Sequence, residues 1–303
     1  MLKMKKFILL LMVLSALMAQ AQQELQYTQN QFNSNLEINP AYAGANDNAS
    51  VSLRYRNQWS GFEGSPNTLS FNAESKVINK VLALGVTVIS DKLGITNSTS
   101  ADLSLASHIR VTDRGTLSVG IKAGFCILTS DFSKLGNIDP TDPLYLTDKL
   151  SIPYLGLGML YYTNKFYIGF SIPRMLSFEN AAPQTKIIKP HFFLYGGYRV
   201  TVDENIELRP ALLVKYVTAA PVEADIAMDV WYQRKFGLGV SYRTGDAFTF
   251  AAKGRIGMLN FGYSYDMTTS SLRHFNSGSH EIFLGYQFGK KGIPDTTIDN
   301  RYF

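Results

Sequence analysis

The sequence predicts an all-β protein, a transmembrane antiparallel β-barrel of about 14 strands between residues 48 and 289. Three observations support this prediction. The chain begins with a secretory signal, its strand-like segments alternate between apolar and polar residues, and its connections alternate between short and long. Outer-membrane barrels have short periplasmic turns and longer extracellular loops, which produces this alternation in length. A soluble β-sandwich has no reason to place its long connections at one end.

Residues 1–21 have the features of a signal peptide. Three lysines precede the apolar stretch 7–18, and Ala19-Gln20-Ala21 matches an A-x-A cleavage site. The stretch is too short to span a bilayer, which takes about 20 apolar residues. Its removal lowers the 29 basic residues to 26 against 24 acidic ones, a net charge of +2. No basic run is long enough to indicate a nucleic-acid partner.

Residues 22–47 precede the first strand and are rich in Asn and Gln. They contain a candidate periplasmic turn motif in which the proline pre-sets a turn and the glycine frees the backbone. Three roles fit this segment: a disordered leader, a plug folded into the barrel lumen, or a periplasmic docking arm. Its apolar and aromatic content exceeds that of a linker and favours a packed role. The motif residues are Asn39, Pro40, Tyr42 and Gly44.

The strands are expected to expose an apolar face to lipid and a polar face to the lumen. The segment 222–232 shows this alternation clearly. Its apolar positions are Ala224, Ile226, Met228, Val230 and Tyr232, and its polar positions are Glu223, Asp225 and Asp229. Tyr and Phe recur near strand ends, which is typical of the aromatic belts at the membrane interfaces.

The connections fall into two series. The short ones are predicted near 78–79, 112–115, 163–164, 202–204, 234–235 and 257. The long ones are predicted at 59–67, 91–99, 131–149, 174–189 and 269–278, with two briefer members of the same series at 218–221 and 244–246. With the mature N-terminus in the periplasm, the long loops face the cell exterior and an even strand count returns the C-terminal tail, 290–303, to the periplasm. Either Phe288 or Phe303 serves as the terminal aromatic residue of a signal for assembly of the barrel.

Charged residues of both signs fall on the predicted lumen face. They are Arg209, Lys215, Glu223, Asp225, Asp229, Arg243, Lys253 and Arg255. One interpretation is a pore with ion-selective walls. The other, which we favour, is a narrow or plugged interior filled by cross-strand ion pairs.

The sequence contains no catalytic signature and no metal-ligand spacing. Its four histidines are scattered, and the acidic loop around Asp131, Asp139, Asp142 and Asp148 matches no EF-hand. We therefore expect no enzymatic activity, no cofactor and no bound metal.

Several blocks resemble the PorP/SprF family of outer-membrane proteins of the type IX secretion system in Bacteroidetes. They are Asn39-Pro40-Ala41-Tyr42-Ala43-Gly44, Leu53-Arg54-Tyr55-Arg56-Asn57-Gln58-Trp59, Gly61 to Pro66, Thr68-Leu69-Ser70, Tyr154-Leu155-Gly156-Leu157-Gly158, Tyr161-Tyr162 and Gly278-Ser279-His280-Glu281-Ile282. The resemblance implies an outer-membrane barrel without enzymatic activity that serves secretion or surface display of proteins, including gliding adhesins. It also implies contact with other components of the secretion machinery.

Aromatic and Arg residues of the predicted exterior loops are candidates for binding a secreted client, because these residue types supply most interface energy. The candidates are Trp59, Phe62, Arg174, Phe178, Arg273 and Phe275. The competing interpretation of each is packing within the loops and aromatic belts. Two other functions stay open at this point: a passive porin-like or FadL-like channel for small solutes, and a purely structural anchor.

Overall fold

The computed structural model describes residues 35–45, 48–78, 81–134, 148–178, 188–218 and 220–288. The predicted signal peptide, 1–21, and the predicted C-terminal tail, 290–303, lie outside these residues. The strands are β1 (Ala49–Asn57), β2 (Asn67–Ile78), β3 (Leu82–Leu93), β4 (Thr96–Arg110), β5 (Gly115–Ser130), β6 (Asp148–Thr163), β7 (Phe166–Ser177), β8 (His191–Tyr198), β9 (Val200–Thr201), β10 (Ile206–Val217), β11 (Glu223–Tyr232), β12 (Phe236–Arg243), β13 (Ala247–Ile256), β14 (Leu259–Thr268) and β15 (Ser279–Phe288). Within the described residues, short 3-10 turns lie at Pro40–Tyr42, Phe132–Lys134 and Ser271–His274.

The strands form one closed antiparallel sheet. Each pairs with its neighbours in sequence, and β1 pairs with β15 to complete the circle. Both β8 and β9 pair with β10, so these two segments are one wall strand interrupted at Arg199. The 15 segments therefore make a barrel of 14 strands. The predicted fold class is confirmed. Because β1 pairs with β15, the first and last strands are not free edges, which is the arrangement that a bilayer requires.

The two faces of the wall follow the period of two that a strand imposes on its side chains. In β12 exposed and buried residues alternate without exception, and the exposed ones are Phe236, Leu238, Val240 and Tyr242. The buried positions of the wall carry most of its charged side chains, including all those predicted to face the lumen except the half-buried Glu223. Among the described residues, no helix is long and apolar enough to span a membrane.

The connections fall at two ends of the barrel, and every connection longer than four residues lies at the same end; we call the two the short-turn end and the long-loop end. The short-turn end carries the links 79–81, 111–114, 164–165, 202–205, 233–235 and 257–258. The long-loop end carries 58–66, 94–95, 131–147, 178–190, 218–222, 244–246 and 269–278.

The prediction of a long loop at 91–99 is wrong. Here β3 continues to Leu93 and β4 begins at Thr96. A tight turn at Gly94, with φ of 58°, joins the two strands. Asp91 pairs with Ser98 and Lys92 with Asn97 in the ladder. Polar residues at the end of a long hairpin can extend beyond the bilayer into water while keeping their backbone hydrogen bonds. Such residues have the polar composition of a loop, and the sequence therefore predicts a loop where the structure has paired strands.

Candidate functional site

Residues 35–45 lie inside the barrel, and all of them are buried. We call them the lumen segment. Pro40–Tyr42 forms a single 3-10 turn, and the Asn39 side chain caps it by accepting a hydrogen bond from the Ala41 N–H at 2.8 Å. The predicted turn motif of Asn39, Pro40, Tyr42 and Gly44 is therefore enclosed by the wall.

The apolar side chains of the lumen segment pack against two parts of the wall. Ile38, Ala41 and Tyr42 form one cluster with residues of β6, β7, β8 and β10, namely Leu160, Tyr167, Phe193, Tyr195 and Leu213. Leu36 and Ala43 form another with Ala83 of β3 and Ala106 of β4. The segment thus contacts the wall on several sides.

The wall carries glycines where the lumen segment approaches its backbone most closely. A Cβ atom at Gly158 of β6 would lie 2.0 Å from the Asn39 Oδ1, and one at Gly120 of β5 would lie 2.3 Å from the Ala41 nitrogen. Any larger residue would have to displace the segment. The Asn39 Nδ2 donates hydrogen bonds to the Met159 carbonyl and to the Tyr195 hydroxyl, both at 2.9 Å.

Polar side chains of the wall satisfy the backbone carbonyls of the lumen segment. A buried segment without regular secondary structure needs such partners, because a buried unpaired carbonyl is unfavourable. The bonds run from Lys122 Nζ to the carbonyls of Leu36 (3.1 Å) and Glu37 (2.9 Å), from Ser171 to Ile38 (2.6 Å), from Ser118 to Ala41 (2.7 Å) and from His108 Nε2 to Ala43 (2.8 Å).

Glu37 is the only acidic residue of the lumen segment, and its carboxylate is fully buried. Its Oε2 accepts a hydrogen bond from Arg54 at 2.8 Å, and its Oε1 accepts from Ser70 at 2.7 Å and Asn72 at 2.9 Å. Burying a charge is unfavourable unless it is paired and hydrogen-bonded, and both conditions are met here.

The Glu37–Arg54 pair begins a continuous series of ion pairs along the lumen wall, buried except at the half-buried Glu223, which we call the ion chain. Its links join the lumen segment to strands β1, β15, β14, β12, β11 and β10 in turn. They are Arg54–Glu281 (3.8 Å), Glu281–Arg56 (3.2 Å), Arg56–Asp266 (2.5 Å), Asp266–Arg243 (3.3 Å), Arg243–Asp225 (3.0 Å), Asp225–Lys215 (2.8 Å) and Lys215–Glu223 (2.6 Å).

A second polar cluster lies near the short-turn end. Glu207 pairs with Arg209 at 2.9 Å and with Arg234 at 2.5 Å. The guanidinium of Arg209 lies 4.6 Å from the ring centre of Trp231, and that of Arg255 lies 5.9 Å away. The charged residues predicted to line the lumen therefore do so, paired with one another or stacked on an aromatic ring.

At the long-loop end, the loops 58–66 and 269–278 are joined by hydrogen bonds. The Ser60 N–H donates to the Gly278 carbonyl at 2.7 Å, and the Ser277 N–H donates to the Ser60 carbonyl at 2.8 Å. The joined loops carry four of the predicted client-binding residues: Trp59, which is half-buried, and Phe62, Arg273 and Phe275, which are exposed. Phe62 is 47% and Phe275 66% exposed, so their rings are accessible from outside the barrel.

The other two predicted residues lie apart from this pair of loops. Arg174 was predicted at the start of a loop, but it lies within β7, is 3% exposed, and stacks inside the barrel at 4.8 Å from the Tyr154 ring centre. β7 continues to Ser177, and its pairing with β6 is irregular between Ile172 and Leu176, so the simple alternation of faces does not hold at Arg174. Phe178 directly follows β7 and is 58% exposed.

The sequence profile described as "Type IX secretion system membrane protein PorP/SprF" matches residues 19–286. The chain belongs to the PorP/SprF family. This match covers the lumen segment and nearly the whole wall. A comparison with curated proteins returned no match.

Solved structures similar to this PorP/SprF chain are outer-membrane barrels of low sequence identity. CdiB from Acinetobacter baumannii is 8% identical over 80% of this chain and 60% of its own, with a TM-score of 0.46. Omp33 from the same organism is 10% identical over 81% of this chain and 100% of its own, with a TM-score of 0.46. A Pseudomonas aeruginosa FadL homologue is 10% identical over 83% of this chain and 93% of its own, with a TM-score of 0.45. At these scores, the similarity carries no argument about function.

Sequence reasoning did not identify the residues that hold the lumen segment of this PorP/SprF protein. The most important are Glu37, Arg54, Arg56 and Glu281. The sequence does contain a pattern that indicates these lumen contacts. Arg54 and Arg56 alternate with Leu53 and Tyr55, as inward residues of a strand do, and Glu37 is the one charged residue between Glu24 and Asp47. Within the described residues no group of three His, Cys, Asp or Glu could hold a metal ion, and Asp139 and Asp142 lie outside them.

Proposed function

We propose that this protein is a plugged, non-enzymatic barrel that supports type IX secretion by binding exported or surface-displayed proteins, such as gliding adhesins, at its long-loop end. The observation that carries the proposal is the lumen segment. Residues 35–45 are buried, packed on both sides and hydrogen-bonded to the wall along their length. A barrel whose interior is occupied in this way is suited to binding proteins and not to passing solutes.

Energetics support the same conclusion. To open a path through the lumen, the segment would have to leave, and its departure would expose Arg54 and the Lys122 ammonium without their partners in the segment. Breaking one buried ion pair by removing a partner costs about 3–5 kcal/mol. The loss of several hydrogen bonds and two apolar clusters adds to this cost. We therefore expect the closed state to dominate in the resting protein.

The orientation is part of the proposal. Outer-membrane barrels place their short turns in the periplasm and their longer loops outside. Because β1 begins and β15 ends at the short-turn end, the proposal places both ends of the wall in the periplasm. The joined loops with Phe62 and Phe275 then face the cell surface. Exposed aromatic rings of this kind serve as anchors for a protein partner.

Two measurements test the proposal. In planar lipid bilayers, we expect the pure protein to show no steady conductance and a variant lacking residues 35–45 to conduct. Affinity purification of the tagged protein from detergent extracts is expected to recover secreted proteins together with type IX components. Steady ohmic conductance of the wild-type barrel would replace the proposal with a passive channel. Recovery of neither exported proteins nor secretion components would contradict it directly.

A further inference from the structure

The barrel wall changes height between β6 and β7 at the long-loop end. β5 pairs with β6 from the first residue of β6, Asp148, but β7 pairs with β6 only from Tyr154 onward. Among the residues that the structure describes, 148–152 therefore have a strand neighbour on one side only. We call the other side of this stretch the open edge.

The direction of the backbone groups at the open edge follows from the bond at its base. The Phe178 N–H donates to the Pro153 carbonyl at 3.0 Å, so this carbonyl points towards the side of β7. In an antiparallel sheet the N–H and C=O of one residue point to the same side, and successive residues alternate. Lys149 and Ser151 therefore each direct an N–H and a C=O towards the open edge. No described residue bonds to these four groups.

Pro153 is an independent sign of an edge at this place. Proline has no N–H to donate, and within sheets it is confined to edge strands, to strand starts and to bulges. Pro153 lies within β6, at the level where this strand loses its second neighbour. A proline here removes no bond from the pairing with β5, because its backbone points to the other side.

The open edge lies beyond the apolar part of the outer wall. At its level the side chains of Lys149 and Ser151 are exposed, and that of Thr129 in β5 is half-buried. Large exposed apolar side chains begin on the outer face further along the two strands, at Phe125 and Leu155. Unpaired backbone groups are not tolerated in hydrocarbon, where they have no water to bond. The open edge is therefore in water and can be reached by a partner.

The backbone groups at the open edge select the kind of partner. Lipid chains cannot bond to an N–H or a C=O, whereas an extended polypeptide bonds to both when it adds a strand to a sheet edge. A second copy of this barrel fits poorly. Both copies insert in the same direction, so their β6 strands would meet in parallel with Lys149 beside Lys149, and like charges in such a position are destabilising.

We propose that the open edge binds an extended segment of the exported protein, which adds to β6 in the place where β7 would otherwise continue. This role rests on the proposed function, since it describes how the client binds at the long-loop end. On the inward side the added strand meets Leu150 and Ile152, and Ile152 is buried in an apolar cluster, so its residues there are apolar. On the outward side it carries a carboxylate opposite Lys149, because cross-strand pairs of opposite charge are stabilising.

Substitutions at Ser151 test the backbone part of the proposal. Ser151→Pro removes one N–H from the open edge and leaves the pairing with β5 intact, whereas Ser151→Ala removes only the hydroxyl and is the matched control. The tagged full-length proteins are purified from detergent extracts of secreting cells, and the exported protein that the wild type recovers is measured by quantitative mass spectrometry. We expect about tenfold lower recovery for Ser151→Pro, as for a loss of about 1.4 kcal/mol, and wild-type recovery for Ser151→Ala. Heat-dependent gel mobility checks that both variants form barrels.

Two further measurements complete the test. Lys149→Glu should lower recovery about fivefold, as for the loss of a pair worth about 1 kcal/mol, while Lys165→Glu, exposed at the short-turn end, should not. The amides of residues 148–152 should exchange hydrogen more slowly in the recovered complex than in the protein alone. Wild-type recovery by Ser151→Pro or Lys149→Glu, an equal loss for Ser151→Ala, or unchanged exchange at 148–152 overturns the proposal. If the wild type recovers no exported protein, the proposed function fails, and this role fails with it.

Discussion

Glu37 and Arg54 form a buried ion pair, with 2.8 Å between Oε2 and the guanidinium nitrogen, that joins the lumen segment to the barrel wall. The pair is held in place from both sides. Ser70 and Asn72 donate to the other oxygen of Glu37, and Glu281 lies 3.8 Å from Arg54. The position of the segment is thus set by charge as well as by packing, and this can be tested one residue at a time.

Removal of the Glu37 carboxylate should destabilise the barrel. Glu37→Ala leaves Arg54 buried without its closest partner, so we expect the free energy of unfolding to fall by about 3–5 kcal/mol. Urea titration in lipid vesicles measures this change. Glu63→Ala, at an exposed loop position, is the control and should stay within about 0.5 kcal/mol of the wild type. An equally small change for Glu37→Ala would show that packing alone holds the segment.

Arg243 connects the largest number of carboxylates in the ion chain, with Asp225 at 3.0 Å, Asp246 at 3.1 Å and Asp266 at 3.3 Å. Arg243→Met leaves these charges facing one another, and we expect a loss of about 3–5 kcal/mol in unfolding free energy. Adding Asp225→Asn and Asp266→Asn reduces the repulsion, while Lys215 keeps Glu223 and Arg56 keeps Glu281 as partners, so part of the lost stability should return. A triple variant no more stable than Arg243→Met alone would contradict this electrostatic explanation.

Gly158→Val should displace the lumen segment, because its Cβ would lie 2.0 Å from the Asn39 Oδ1. The expected result is a folded barrel with measurable conductance in planar bilayers and faster protease cleavage within residues 35–45. Ala123→Val, at an outward position of β5, adds volume without touching the lumen and should show no conductance. If the Gly158→Val barrel shows no conductance and resists cleavage within residues 35–45, the lumen segment adjusts to the larger side chain and stays in the lumen.

Phe62→Ala and Phe275→Ala should weaken client binding without altering the barrel. Truncating an aromatic anchor typically costs about 2 kcal/mol, or roughly 30-fold in affinity. Recovery of secreted proteins in affinity purification, followed by quantitative mass spectrometry, measures this loss. Phe250→Ala removes an exposed ring from the outer wall and serves as the control. If all three variants recover the client equally, the binding surface lies elsewhere.

Cysteine labelling of intact cells can determine the orientation. Glu63 and Asp203 are exposed at opposite ends of the barrel. With a membrane-impermeant maleimide, Glu63→Cys should be labelled and Asp203→Cys should not, while both react after lysis. The native Cys126 is buried and should give little background. Labelling of Asp203→Cys alone would reverse the proposed orientation.

The sequence predicted the barrel well because its main signal is local. Successive side chains of a strand point to opposite faces, so the alternation of Ile226 and Met228 with Asp225 and Asp229 already assigns them to lipid and lumen. The same local reasoning failed at 91–99, where strand residues in water have the composition of a loop. It also failed at Arg174, because the end of β7 depends on its pairing with β6.

The sequence by itself predicted the fold class, a count of about 14 strands, most of the link lengths and eight of the charged residues that face the lumen. Only the tertiary structure decided that residues 35–45 occupy that lumen, that Glu37 meets Arg54 and that an ion chain extends from β1 to β10. The physical reason is that each of these contacts joins residues distant in sequence, and which residues meet depends on the register of all 14 strands at closure.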